Sequence, residues 1–319
     1  MAGGVWRIGL DLSTRDSLSP RAFPRLATMR PRLYADLLGF VRAACTHASQ
    51  AGRELPVLPF YVKEHAVGWL RPSFADQLRR WPHFFEVTTA YVTLRAKPET
   101  AAGRSAALAV VTRELARDGV IRGWRDELVS VSHHYAAPEL LRIERAASRH
   151  FGIMGYGAHA NGFMRTGGLV HAWIARRSAD KSIDPDKMDN LVGGRIAAGL
   201  TVDETLRKEA WEEAGIAPSL LEGVNCLGAV RVEYSVPEGL HREILFVHDL
   251  WLPDDFKPAN QDGEVSEIRL FPIEEVIGNI LAGDFTLDAG AVTIDGLLRL
   301  GAVIPEDAQY LDILRLLKP

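Results

Sequence analysis

A chain of 319 residues that is 47% hydrophobic and 24% charged has the make-up of an ordinary soluble globular protein, with length enough for two domains. Its 37 basic and 41 acidic side chains leave a net charge of -4, which gives no electrostatic reason to expect nucleic acid or an anionic membrane as partner. No apolar run approaches a membrane span, and Cys45 and Cys226 lie far apart and outside any metal-ligand spacing, which reads as a reduced, cytoplasmic interior.

In chain order, residues 1 to about 30 read as a tail or an extended start upstream of Met29, because Arg7, Asp11, Arg15 and Asp16 come too early for a signal-peptide core. Tyr34, Leu37, Leu38, Val41, Ala44 and Cys45 recur at helical spacing and predict a helix over 33–48. Residues 58–62 and 91–94 read as short strands and 102–117 as a second helix, so 31–135 make a small α+β domain. The polar stretch around His133, His134 and Pro138 is its expected junction. A second domain, 136–319, opens with strands around 159–165 and 169–176, joined by the turn-forming Gly167-Gly168. Further strands near 227–234, 244–252 and 268–271 and helices near 273–281 and 289–300 complete it.

Between these strands lies the stretch from Gly193 to Ile216, the most informative in the chain. Thr201 and Glu204 have capping-box spacing, Asp203 and Glu204 put acid at a helix start, and Gly215 stands where a left-handed cap is expected. A helix from Val202 to Ala214 follows, with Val202, Leu206 and Ala210 as its buried stripe. In that helix Glu209 neighbours both Glu212 and Glu213, and like charges so placed cost about 0.2–0.5 kcal/mol per pair. A divalent cation would reverse the sign, and such hard oxygen ligands suit Mg²⁺ or Mn²⁺. On charge spacing alone a solvated acidic face is the better reading.

Sequence order adds what spacing lacks. From Gly194, and through Lys208, Glu209, Ala210, Glu212, Glu213, Gly215 and Ile216, the segment resembles the signature box of the Nudix hydrolases, which cleave diphosphates linked to another moiety. It departs from that box at Leu200, where a glutamate is usual, and at Lys208, where arginine is usual. Lysine keeps the charge without the bidentate fork. The chain also resembles a subgroup with its own N-terminal domain, related to sequences fused to thiamine pyrophosphokinase in some fungi. The matching segments include 123–128, 156–162, 173–178 with Lys181, 188–190, 262–265 and 295–299. Asp186 departs, since that subgroup more often has glycine there.

The resemblance implies a Nudix-type α/β/α sandwich with a mixed sheet, preceded by the small α+β domain. It also implies hydrolysis of a small-molecule diphosphate, with preference for damaged thiamine diphosphate, the oxo and oxy forms, taken to the monophosphate. Chemistry needs Mg²⁺ or Mn²⁺ on Glu209, Glu212 and Glu213; the i, i+4 pair Glu209 and Glu213 would be direct ligands and Glu212 ligand or base. Glu264 is the candidate for a further carboxylate from outside the box, with Glu267 a weaker substitute. Arg177 and Lys181 are candidates for gripping the terminal phosphate, His159 and Asn161 for facing substrate, and Gly193 and Gly194 for close approach of the loop to phosphate and metal. Trp124 and Trp173 suit ring stacking or the core. Two alternatives stay open: a Nudix hydrolase of ADP-ribose or another nucleoside diphosphate derivative, and a Nudix-like module that binds without turnover. The N-terminal domain would complete the pocket or support a homodimer.

Overall fold

The structure, a computed structural model, describes residues 26–46 and 56–319. Residues 1–25 of the expected tail, and the end of the first expected helix at 47–48, lie outside the described residues.

The chain enters through helix α1 (Leu26–Cys45) and then builds the first unit from β1 (Leu58–Val62), β2 (His65–Leu70), α2 (Pro72–Leu78), β3 (Phe85–Val87), β4 (Val92–Leu94), α3 (Ala101–Arg117), β5 (Leu128–Val131) and β6 (Leu141–Glu144). Its four-stranded sheet runs β2-β1-β4-β3, with β1 and β4 parallel and the outer pairs antiparallel. Thr100 caps α3 by accepting the Gly103 N–H at 3.1 Å. Leu108, Val111 and Leu115 then fall on one face of the helix and bury in the same core as Phe60, Val92 and Phe151.

Two expectations about this unit need correction. The stretch around His133 and His134 is the tip of the β5–β6 hairpin, not a junction, and Val129, Val131, Leu141 and Ile143 on its strands belong to the first core, which runs on to Ile153. Polarity there marks a turn between alternating strands. Helix α1 also packs elsewhere than expected: Leu37, Leu38, Val41 and Ala44 bury in the core of the second unit with Phe163, Val292 and Leu297. Its periodicity shows that one face is buried but not against what.

The second unit comprises β7 (Gly155–Thr166), β8 (Leu169–Arg177), β9 (Met188–Asp189), β10 (Val192–Arg195), α4 (Val202–Ala214), β11 (Gly228–Val236), β12 (Gly239–Trp251), β13 (Val265–Pro272), α5 (Ile273–Ala282), α6 (Leu287–Arg299) and α7 (Tyr310–Leu317). Strand order is β11-β12-β7-β8-β13, with β12 parallel to β7 and its other pairs antiparallel. Strand β7 is long enough to serve two partners: its first half pairs with β10, from Gly157 opposite Arg195 to Ala160 opposite Val192, and its second half with β8. Helix α4 covers one face, setting Leu206, Ala210 and Ala214 against Ala158, Ala160 and Leu250. Helices α1, α5, α6 and α7 cover the other. This is the expected α/β/α sandwich with a mixed sheet.

The two units interlock at the β11–β12 turn and where the loop after β10 meets β5. Arg71 Nη2 donates to Val236 O at 2.6 Å, Leu240 N to Arg149 O at 3.1 Å, and Ala198 N to Leu128 O at 2.9 Å. A Cβ on Gly239 would sit 2.2 Å from Arg149 O, so the backbones touch where a side chain has no room.

Candidate active site

Helix α4 begins and ends on the expected residues. Thr201 Oγ1 accepts the Glu204 N–H at 3.2 Å while Glu204 Oε2 accepts the Thr201 N–H at 2.8 Å, and Gly215 closes the helix at φ 63°. The exposed carbonyls of the last turn are then used to anchor a loop. Gln261 N donates to Glu212 O at 2.7 Å and Ala259 N to Ala214 O at 3.0 Å, while Asp262 Oδ1 accepts the Glu264 N–H at 2.8 Å. Glu264 is thereby fixed beside the helix that carries the other glutamates.

The glycine-rich strand β10 explains itself against these side chains. A Cβ on Gly194 would lie 2.2 Å from Glu209 Cγ, and one on Gly193 would lie 2.8 Å from His159 Cε1. Gly193 N–H also donates to Glu213 Oε2 at 2.7 Å. Lys208 Nζ bridges Glu209 Oε1 at 3.0 Å and Glu212 Oε2 at 2.7 Å.

Burial raises the Glu209 carboxyl, with Lys208 and, more weakly, Arg145 opposing it. Burial also raises Glu213 well above the usual range, reinforced by Asp189 and Glu209 and opposed by the Gly193 N–H. Burial works against the Lys208 charge, but its bonds to Glu212 and Glu209 outweigh this and raise its pKa. Glu209 and Glu212 are drawn together by the Lys208 ammonium, and a divalent cation suits hard oxygen donors of this kind, with Glu213 one helical turn from Glu209. Among the described residues, the three side chains of metal-binding type whose ligand atoms lie within 4.8 Å of one another are instead His241, Glu243 and Asp288, at another part of the same cleft.

That cleft has a volume of about 500 Å³ and lies between the two units. Glu209, Glu212, Lys208, Gly194 and Glu264 line the second unit's wall, and Arg122, Arg125, Arg145 and Arg149 with the single carboxylate Glu127 line the first unit's.

A family model described as the NUDIX domain matches residues 159–291, and one described as a domain of unknown function (DUF4743) matches 39–155. Over 293 residues the chain is 36% identical to Nudix hydrolase 24, chloroplastic, of Arabidopsis thaliana, covering 90% of this chain and 80% of the relative. The chain belongs to the Nudix hydrolase family. Nudix hydrolase 20, chloroplastic, of the same plant is 35% identical over 296 residues, covering 89% and 79%. A solved structure, DR0079 from Deinococcus radiodurans, is 22% identical with a TM-score of 0.36, covering 50% of this chain and 90% of that one.

With the Nudix box identified, the expected site residues separate into three groups. Glu209, Glu212, Glu264, Gly194, His159, Arg177 and Lys181 all line the cleft, and Glu213 lies just behind its lining on the Gly193 N–H. Arg177 and Lys181 are already engaged: Arg177 donates to Asp189 Oδ2 at 2.8 Å and to the Ile183 and Asp184 carbonyls, and Lys181 pairs with Glu264. Asn161 does not face the cleft. It is buried behind His159, donating to Asp249 Oδ1 at 2.9 Å and accepting from Asn190 at 3.3 Å, while His159 Nδ1 lies 3.0 Å from Asn190 Oδ1. Two residues of separation along β7 give the two side chains one face, but not one depth.

Trp124 packs against the first core with its Nε1 on Asp126 at 2.7 Å, Trp173 packs edge-on to Phe256, and Glu267 pairs with Arg269, so none of the three reaches the cleft. Leu200 lies at the cleft mouth, where the box usually supplies a glutamate. The arginines of the first unit went unseen in the sequence. Only Arg125, inside the matching segment 123–128, carried any signal, since arginines without a fixed spacing resemble solvated surface.

Proposed function

We propose that this Nudix hydrolase is a metal-dependent diphosphatase that converts damaged thiamine diphosphate, the oxo and oxy forms, to the monophosphate. The observation that carries the reaction class is the box helix itself, with Glu209 and Glu213 held against the glycine strand, Glu212 on Lys208, and Glu264 tied to the end of the same helix. The thiamine class is supported by the sequence resemblance. The cleft lining holds no Phe, Tyr or Trp among the described residues, so a heteroaromatic ring there would meet guanidinium planes and the two histidines, His159 and His241.

A diphosphate resists water because its negative oxygens repel the nucleophile. Mg²⁺ or Mn²⁺ held by Glu209, Glu212 and Glu213 would neutralise that charge and make water more acidic. The remaining work belongs to the chain. Gly193 N–H orients Glu213, Gly194 leaves room for Glu209, and Lys181 holds the Glu264 carboxyl where it can accept a proton from the attacking water. Water oxygen bonds to one phosphorus, the bridging P–O bond breaks, and the proton passes to the base and on to solvent.

Phosphate release from oxo-thiamine diphosphate, thiamine diphosphate and ADP-ribose, each with Mg²⁺ or EDTA, tests this in wild type and Glu213→Gln. Turnover of the damaged cofactor that EDTA and the substitution both abolish is expected. ADP-ribose turnover, read through a coupled phosphatase, would keep the chemistry and overturn the substrate. Absence of turnover with all three would favour a binding module.

A further inference from the structure

The first unit turns a cationic wall toward the box helix, and one of its arginines is held there by the second unit. Arg149 Nε donates to His241 Nδ1 at 3.1 Å, His241 Nε2 lies 2.9 Å from Asp288 Oδ2, and Tyr234 donates to Asp288 Oδ1 at 3.2 Å. His241 is buried, so a histidine and an aspartate of the sandwich are committed to orienting a guanidinium that comes from the other unit. The two Nη groups of Arg149 have no hydrogen-bond partner among the described residues, and Arg149 lines the cleft. Arg145, one turn earlier, donates its Nη1 to Glu127 at 2.9 Å and lines the same cleft as Glu209.

We propose that Arg145 and Arg149 form the subsite for the terminal phosphate of the substrate, with Arg149 positioned across the junction by the His241–Asp288 pair. This rests on the diphosphatase reading and assigns the DUF4743 unit a part in substrate binding. A guanidinium fork matches two phosphate oxygens, and placing cations on the wall opposite the glutamates divides the work: carboxylates hold the metal, arginines hold the anion. Arg177, the residue first expected in this role with Lys181, has all three guanidinium nitrogens engaged by Asp189 and the 183–184 carbonyls, and Lys181 is on Glu264, whereas Arg145 commits only Nη1, to Glu127, among the described residues. The spacing of His241, Glu243 and Asp288 also suits a metal, but Arg149 already donates to His241 and the buried Arg195 faces Glu243 at 3.4 Å. Two guanidinium groups in contact with the trio make it an arginine anchor.

The test is calorimetric titration of inorganic phosphate into the Glu213→Gln protein in EDTA, where neither metal nor turnover contributes. Phosphate is expected to bind, and adding Arg149→Gln or Arg145→Gln should weaken binding roughly tenfold each. His241→Gln should weaken it less than Arg149→Gln and add nothing on top of it, which a merely structural effect of His241 would not reproduce. If Arg149→Gln fails to fold, Arg149→Lys, which keeps the charge without the fork, should still bind phosphate more weakly than its parent. Failure of the parent to bind phosphate, or affinity unchanged by the arginine substitutions, would overturn the subsite. Failure of the diphosphatase reading would show separately, as absence of turnover by the wild type.

Discussion

Gly194 shows most directly how one residue sets the chemistry. The Glu209 side chain crosses the space a Cβ would fill, at 2.2 Å from Cγ, so Gly194→Ala must push that carboxylate aside. Displacements of this size next to reacting atoms cost about 100-fold in rate. We expect kcat/KM to fall by about that factor while the thermal midpoint changes little, and an active Gly194→Ala enzyme would contradict the assignment. The raised carboxyls give a second prediction. Because Glu209 and Glu213 hold protons more tightly in the fold than in the unfolded chain, their contribution to stability is complete below about pH 4 and is lost as pH rises through the raised values. A divalent cation replaces those protons. Mg²⁺ should therefore raise Tm more at pH 8 than at pH 5, and equal increments by calorimetry at both pH values would argue against metal on these glutamates.

Helix α1 carries the consequence that matters most among the elements. Leu37 is fully buried in the core of the sandwich although it precedes the whole first unit in the chain. Leu37→Ala should cost about 2–5 kcal/mol in denaturant unfolding. A change confined to the first unit, read by a probe on Trp81, would contradict that packing. Helices α3, α4, α5 and α6 were legible in the sequence because each shows a 3.6-residue apolar period, and α4 adds both caps. Strand β10 was not, since Val192-Gly193-Gly194-Arg195 has no alternation: its glycines answer to His159 and Glu209, which are distant in sequence. Asp186 sits at φ 60°, a left-handed backbone that glycine adopts at no steric cost and aspartate more readily than most residues, so the loop carries some backbone strain there.

Across the whole molecule, the carboxylates could be found from the sequence and the arginines could not. Glu209, Glu212 and Glu213 lie within five residues of one another on one helix, so local spacing reveals them. The cleft's other wall comes from residues 122–149, brought opposite by the β11–β12 turn, by Arg71 on Val236 and by the backbone contact of Leu240 with Arg149. No local pattern encodes such a juxtaposition. The same distance in sequence explains why His241 and Asp288 were not singled out, since their role depends on an arginine of the other unit. On the proposed reading the active site is a joint product of two units, with metal on one wall and phosphate on the other. Crystals of the protein grown with Mn²⁺ and inorganic phosphate would test this most directly, through the anomalous map and the phosphate density. We predict manganese on the α4 glutamates and phosphate on Arg145 and Arg149; manganese on His241, Glu243 and Asp288, or phosphate bound away from the first unit, would contradict it.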